Sequence, residues 1–285
     1  MRWTPGNISS DIEDRRGSSG RGFGFGRGPT IGCGGAIILL VLSLLTGKNF
    51  FTFFDGSGEA PQTSQSESAP PAIESPEERQ RVEFLSDALD DNQNTWVEIF
   101  RQEGLEYQSA KLVLFRDLTQ SGCGTGQAST GPFYCPADGK VYLDLSFFDE
   151  LDRRFGAPGD FAQAYVVSHE IGHHVQNLLG TSSRAQEAMQ RDRRNANEYS
   201  VRLELQADCY AGIWAHSASK RNMLETGDIE EGMGAASAVG DDRLQEMSGR
   251  GVNPDSFTHG SSAQRVEWFQ RGLQSGRIGD CDTFR

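Results

Sequence analysis

The sequence predicts an α+β domain, mostly helical with a small sheet, preceded by one N-terminal transmembrane helix. Three observations lead there. Residues 30–47 form an uncharged apolar run, residues 111–116 and 140–145 carry short strand patterns, and amphipathic helical patterns fill most of the chain beyond residue 76. A chain of 285 residues accommodates one sizeable domain with appendages. The hydrophobic content of 36% and the 34 glycines indicate a globular part diluted by low-complexity sequence.

Residues 1–28 are rich in Gly and Arg. Their five arginines against three acids give a local +2, and with a total of −13 the rest of the chain stands at about −15. Such a charge makes nucleic acid and anionic lipid surfaces poor partners. The run from Thr30 to Gly47 has the length of a bilayer span, and Phe50, Phe51, Phe53 and Phe54 suit an interfacial belt. Arg15, Arg16, Arg21 and Arg27 precede it and Lys48 follows. The positive-inside rule then makes 1–28 cytoplasmic, 29–54 a signal anchor, and the remainder extracytoplasmic. A cleaved signal peptide is the alternative, but the leader is long and no clear small-x-small site follows the run. Residues 55–76, rich in Ser, Pro, Glu and Gln, read as a flexible linker. Ser75-Pro76-Glu77-Glu78 is a helix start, and the folded domain is expected over 77–285.

Within that domain Val82, Leu85, Leu89, Trp96, Ile99 and Phe100 mark a first helix over 77–103. Lys111–Arg116 reads as a strand, 121–132 as a Gly/Ser/Thr/Gln loop, and Lys140–Leu145 as a second strand. Helices are expected near 146–155, 160–179, 184–220, 228–247 and 261–275.

The helix over 160–179 contains His169-Glu170-Ile171-Gly172-His173-His174, an HExxH pattern. Positions four apart share one helix face, so the imidazoles of His169 and His173 can close on one zinc ion, with Glu170 in reach of a water there. Two histidines and a glutamate in a partly buried helix are costly unless paired. A hydrolytic zinc site takes three protein ligands and one open position, which calls for a third ligand downstream. Glu204-Leu205-Gln206-Ala207-Asp208 supplies one: Glu204 completes the shell, and Asp208, on the same face, can orient a ligand imidazole. The metzincin type of third ligand needs a Gly and a His soon after His173, and Val175 to Leu179 offer neither. His174 lies about 100° round the helix from His173, which favours a supporting or surface role, and His216 has no evident partner.

HExxH followed by Glu-x-x-Ala-Asp resembles the gluzincin metallopeptidases, and a zincin-like fold is what that resemblance implies. The segment Thr258-His259-Gly260…Arg265 resembles the Thr-His-Pro…Arg segment of membrane-associated zinc endopeptidases, with Gly260 in place of the proline. By that likeness His259 would donate to an oxyanion and Arg265 would brace the site. Gluzincins lay substrate along an edge strand, a role open to Gly131–Pro136 and Val141–Leu145. Cys123 and Cys135 would staple the loop between them, as an exterior location permits. Cys209 and Cys281 would form a second bridge, or Cys209 would remain a buried thiol.

Taken with the apolar N-terminal run, Gly131-Pro-Phe-Tyr-Cys-Pro136, His169–Gln176 and Glu204–Gly212, the chain resembles the bacterial family described as putative neutral zinc metallopeptidases. That implies one zinc per chain and a single-pass inner-membrane enzyme with its catalytic domain in the periplasm. It would hydrolyse peptide bonds of proteins or peptides, with Glu170 as general base. A zinc-binding envelope module that binds a protein partner without catalysis is the alternative.

Overall fold

The computed structural model describes residues 1–6, 8–17, 74–249 and 251–285. Its architecture is the expected mostly helical α+β arrangement with a small sheet. The apolar run, the anchor assigned to 29–54, most of the linker and Cys33 lie outside the described residues. Among the described residues no helix is long and apolar enough to cross a membrane.

The first helix, α1 (Pro76–Gln102), starts where the sequence signals it. Ser75 caps it by accepting from the Glu78 amide, Pro76 occupies the first turn, and Glu77 and Glu78 sit at its positive end. Its apolar stripe of Leu85, Leu89, Trp96 and Phe100 is buried.

The main sheet has the order β1-β2-β6-β5, built from β1 (Ile12–Asp14), β2 (Lys111–Phe115), β6 (Lys140–Asp144) and β5 (Phe133–Cys135). The first three strands are parallel, and β5 runs antiparallel to β6. Alternation sorts the two faces. Leu112, Leu114, Val141 and Leu143 join the helical core, while Val113, Phe115 and Tyr142 pack with Cys135 and Phe133 on the other side. Because both faces are covered, Leu112 to Phe115 are all buried and read as an unbroken apolar run.

The folded unit is not 77–285 alone: residues 1–16, assigned to a separate cytoplasmic segment, supply β1 and lie against the domain. The stretch 121–132 is not wholly loop: β3 (Leu118–Ser121) and β4 (Gly124–Gln127) form an antiparallel hairpin. A Cβ on Gly126 would fall 2.6 Å from the Phe133 ring, so tertiary packing places these strands rather than an apolar period.

The helices that follow are α2 (Ser146–Arg153), α3 (Asp160–Leu178), α4 (Thr181–Arg191), α5 (Ala196–Lys220), α6 (Asp228–Ala238), α7 (Asp241–Met247) and α8 (Ser262–Ser275). The expected helix at 184–220 is thus two, broken at Asp192–Asn195, where charged residues offer no apolar position to bury. The expected helix at 228–247 breaks at Gly240. Its backbone is extended there, and an added Cβ would lie 2.4 Å from the Ser262 amide nitrogen at the start of α8.

Glycines set how closely the site-bearing helices approach. A Cβ on Gly172 of α3 would lie 2.9 Å from the Ala207 carbonyl oxygen of α5. Where α5 meets α8, one on Gly212 would sit 2.1 Å from the Phe269 carbonyl oxygen and one on Gly272 1.9 Å from that of Cys209. These contacts bring α3, α5 and α8 together at backbone distance, so short side chains on them can converge.

Candidate metal centre

His169 and His173 project from one face of α3, one turn apart, toward Glu204 on α5. His169 Nε2 lies 3.2 Å from Glu204 Oε2, and His173 Nε2 lies 3.6 Å from Glu204 Oε1. One donor atom from each of the three fits within 4.8 Å of the others. Ligands about 2.0–2.1 Å from a tetrahedral zinc ion are separated from one another by about 3.3 Å. The two separations, each to a different oxygen of Glu204, bracket that value, so the three side chains form a candidate ligand group that one ion could bridge.

The rings are fixed from behind. His169 Nδ1–H donates to Asp208 Oδ1 at 2.8 Å, which leaves Nε2 for the metal. His173 Nδ1–H donates to Gln176 Oε1 at 2.9 Å, with the same result. Gln176 is itself oriented, because its amide donates to the Leu203 carbonyl (2.6 Å) and to Gln206 Oε1 (3.2 Å).

Asp208 is fully buried and saturated with donors. Besides His169 it accepts from Arg265 through Nε (2.8 Å) and Nη2 (2.9 Å), and from the Tyr165 hydroxyl (2.5 Å). Arg265, also buried, gives a further hydrogen bond to the Tyr165 oxygen at 3.2 Å. The structure therefore joins Asp208 to Arg265, a pairing the sequence does not announce, and adds Tyr165 and Gln176. Each carried a local signal: Tyr165 precedes His169 by four residues and Gln176 follows His173 by three, so each shares a helix face with its partner.

The electrostatics suit a cation. Burial works against ionising Glu204 and Asp208, yet His173 and Arg265 respectively lead the influences that hold their carboxyls below the usual range. Burial likewise disfavours charging His169, but Asp208 and then Glu204 push it up to about 9. His173 is raised against burial by Glu204. Protons thus balance the carboxylates in the metal-free site, and a bound dication would displace them. Glu170 is buried, and that burial raises its pKa against the pull of His173 and His169. This environment suits a proton-transfer group.

His259 sits on the loop before α8. Its hydrogen bonds run to Thr258 Oγ1 (3.0 Å) and Asp241 Oδ1 (3.2 Å), and its link to the triad is the charge of Glu204, which raises its pKa against burial. Asp241 was not anticipated. Its Oδ2 accepts from the backbone amides of Thr258, His259 and Gly260 at 2.6, 2.6 and 3.1 Å, which fastens the loop where Gly260 stands in place of a proline.

His174 is not a surface residue. It is buried, its Nε2–H donates to the Gln108 carbonyl (2.6 Å), and its Nδ1 accepts from the Tyr134 hydroxyl of β5 (3.0 Å). Burial lowers its pKa and keeps it neutral for that role. His216 donates through Nδ1 to the Leu273 carbonyl and takes no part in the site. Cys123 pairs with Cys135 and Cys209 with Cys281, at Cα separations of 5.8 and 5.6 Å. The second bridge settles the alternative for Cys209 and ties the C-terminal segment to α5 immediately after Asp208.

The sequence profile of the family described as "Putative neutral zinc metallopeptidase" matches residues 1–284. The chain is 47% identical to the uncharacterized protein YpfJ of Escherichia coli (strain K12), across 100% of this chain and 99% of that one. It is also 47% identical over 189 residues to the uncharacterized protein Rv2575 of Mycobacterium tuberculosis (strain H37Rv), covering 62% of this chain and 63% of that one. No solved structure matches it at a significant level. The chain belongs to the putative neutral zinc metallopeptidase family.

Proposed function

We propose that this protein is a zinc-dependent endopeptidase that hydrolyses peptide bonds of protein or peptide substrates outside the cytoplasm. The observation that carries this reading is the His169–His173–Glu204 triad, whose donor atoms all lie within 4.8 Å of one another, beside a buried glutamate, Glu170, that the ligand set does not use. A structural zinc site has no need of such a group.

One zinc per chain would be held by His169 Nε2, His173 Nε2 and a Glu204 carboxylate oxygen. When bound, it supplies a Lewis acid for the scissile carbonyl and lowers the pKa of a water at its open position toward ~7. Glu170 takes the proton of the attacking water and returns it to the leaving amine. His259, held by Asp241, donates to the oxygen on which negative charge develops. Asp208 and Gln176 keep both ligand imidazoles in the metal-binding tautomer, Arg265 and Tyr165 hold Asp208, and Arg265 keeps it ionised. The two disulfides support a location outside the cytoplasm, and the apolar run at 30–47 supports association with the bacterial inner membrane.

The test is metal content and hydrolysis measured on one preparation. The purified full-length protein should hold one zinc and cleave a denatured protein such as casein, lose cleavage to a chelator, and regain it with zinc. Stoichiometric zinc with no cleavage of casein or of a diverse peptide library would instead indicate a silent binding module.

A further inference from the structure

We propose that residues 1–16 and the metal-binding domain lie in one compartment, on the same side of whatever membrane the apolar run engages. This departs from the single-crossing anchor that charge bias alone predicts, and it does not depend on peptidase activity.

The N-terminal segment is built into the domain. β1 pairs in parallel with β2 in the register Ile12↔Leu112, Glu13↔Val113 and Asp14↔Leu114, and the pairing continues as the Arg15 amide donates to the Leu114 carbonyl at 2.7 Å. Before the strand, Trp3 packs edge-on against Phe84 of α1, and the Ser9 amide donates to Ser86 Oγ at 2.6 Å. Asp11 accepts from Gln93 of α1 (2.9 Å) and from Lys111 of β2 (2.9 Å), and Lys140 of β6 reaches Glu13 at 2.7 Å. The contacts therefore extend to α1, β2 and β6, and without β1 the outer edge of β2 would lose its strand partner.

Arg16 supplies the sharpest observation. It is only 7% exposed, and its guanidinium is shared among Asp14 (2.7 Å), Glu74 (2.8 Å) and Glu78 (2.9 Å). Glu74 lies just beyond the far end of the segment 18–73, which contains the apolar run. The two ends of that segment are thus joined by one ion pair on one corner of the domain.

A chain that crossed a bilayer once between residues 17 and 73 would put its N-terminal strand opposite its domain. Every copy would be arranged alike, so a strand exchanged from a second copy offers no escape. Arg15 and Arg16, two of the cations that precede the run, are themselves engaged at the domain by Glu13, Asp14, Glu74 and Glu78.

The experiment reads sidedness in the full-length protein. Ile8 is 52% exposed and Val97, on α1, is 46% exposed. Ile8→Cys and Val97→Cys are made singly in a Cys33→Ser background and treated with a membrane-impermeant maleimide in intact spheroplasts, then after permeabilisation. Arg2→Cys, 69% exposed at its side chain, serves as a second N-terminal reporter if Ile8→Cys disturbs the strand. The expected result is that the N-terminal and domain cysteines label alike, both before permeabilisation or both only after it. Labelling of one before and of the other only after permeabilisation would overturn the proposal.

Discussion

Replacing Asp208 by Asn probes both the integrity of the site and its metal affinity. The carboxylate is wholly buried and accepts from His169 Nδ1, Arg265 Nε and Nη2, and the Tyr165 hydroxyl, at 2.5–2.9 Å. Asn keeps the shape but removes the charge, and it sets an amide N–H against groups that are themselves donors. Arg265, only 3% exposed, then remains as a buried cation without its counter-ion. Removing one partner of such a pair costs about 3–5 kcal/mol. Losing the hydrogen bond that orients a ligand histidine costs about 10–100-fold in metal affinity. Urea denaturation of the metal-free protein reads the first effect, and competition with a chromophoric chelator reads the second. Adding Arg265→Met to Asp208→Asn should recover part of the lost stability, because it removes the stranded charge, with a coupling of about 1–3 kcal/mol. If Asp208→Asn costs less than about 1 kcal/mol and zinc affinity is unchanged, the linkage of Asp208 to both Arg265 and His169 is refuted.

Gln176→Ala should weaken zinc binding about 10–100-fold by freeing the His173 ring, while leaving turnover per bound zinc nearly intact; metal titration paired with single-turnover assays checks both. Gly172→Ala forces a methyl to within 2.9 Å of the Ala207 carbonyl oxygen. It should cost about 1–3 kcal/mol and lower zinc affinity, because α3 is pushed from α5 and its Glu204. The metal-free protein should lose thermal stability as pH rises from about 6.5 toward 9. His169 is raised above its unfolded value, so the folded state binds more protons; that stability is full below the unfolded pKa and vanishes above the folded one. Zinc-loaded protein, whose ligand imidazoles are neutral, should lack that loss, and thermal scans across pH with and without chelator distinguish the two.

The parts of the site legible in the sequence are those whose geometry is local. His169 with His173, and Glu204 with Asp208, are each separated by one helical turn, so spacing alone put them on shared faces. The strands at 111–115 and 140–144 were legible from their apolar residues, and α1 from its cap and stripe. What escaped has no local period. β1 is three residues long, two of them acidic, and is held by backbone pairing with β2 and by charge pairs to distant residues, with no apolar period to announce it. Apart from Leu118 and Cys123, the hairpin at 118–127 consists of Gly, Thr, Gln and Ser, and its placement depends on packing against Phe133. Asp241 organises the His259 loop from another helix, and nothing near it in sequence announces that role. Cys209 and Cys281 are 72 residues apart, and only the approach of the C-terminal segment to α5 joins them.

The most direct test of a peptidase site lies in Glu170→Gln. The substitution keeps the side chain's size and leaves His169, His173 and Glu204 untouched, so the variant should still bind one zinc with near-parental affinity. Cleavage of casein, read by mass spectrometry as new peptide termini, should be abolished in the zinc-loaded variant and present in the parent. Equal cleavage by both would contradict the assignment of Glu170 as the group that moves the proton.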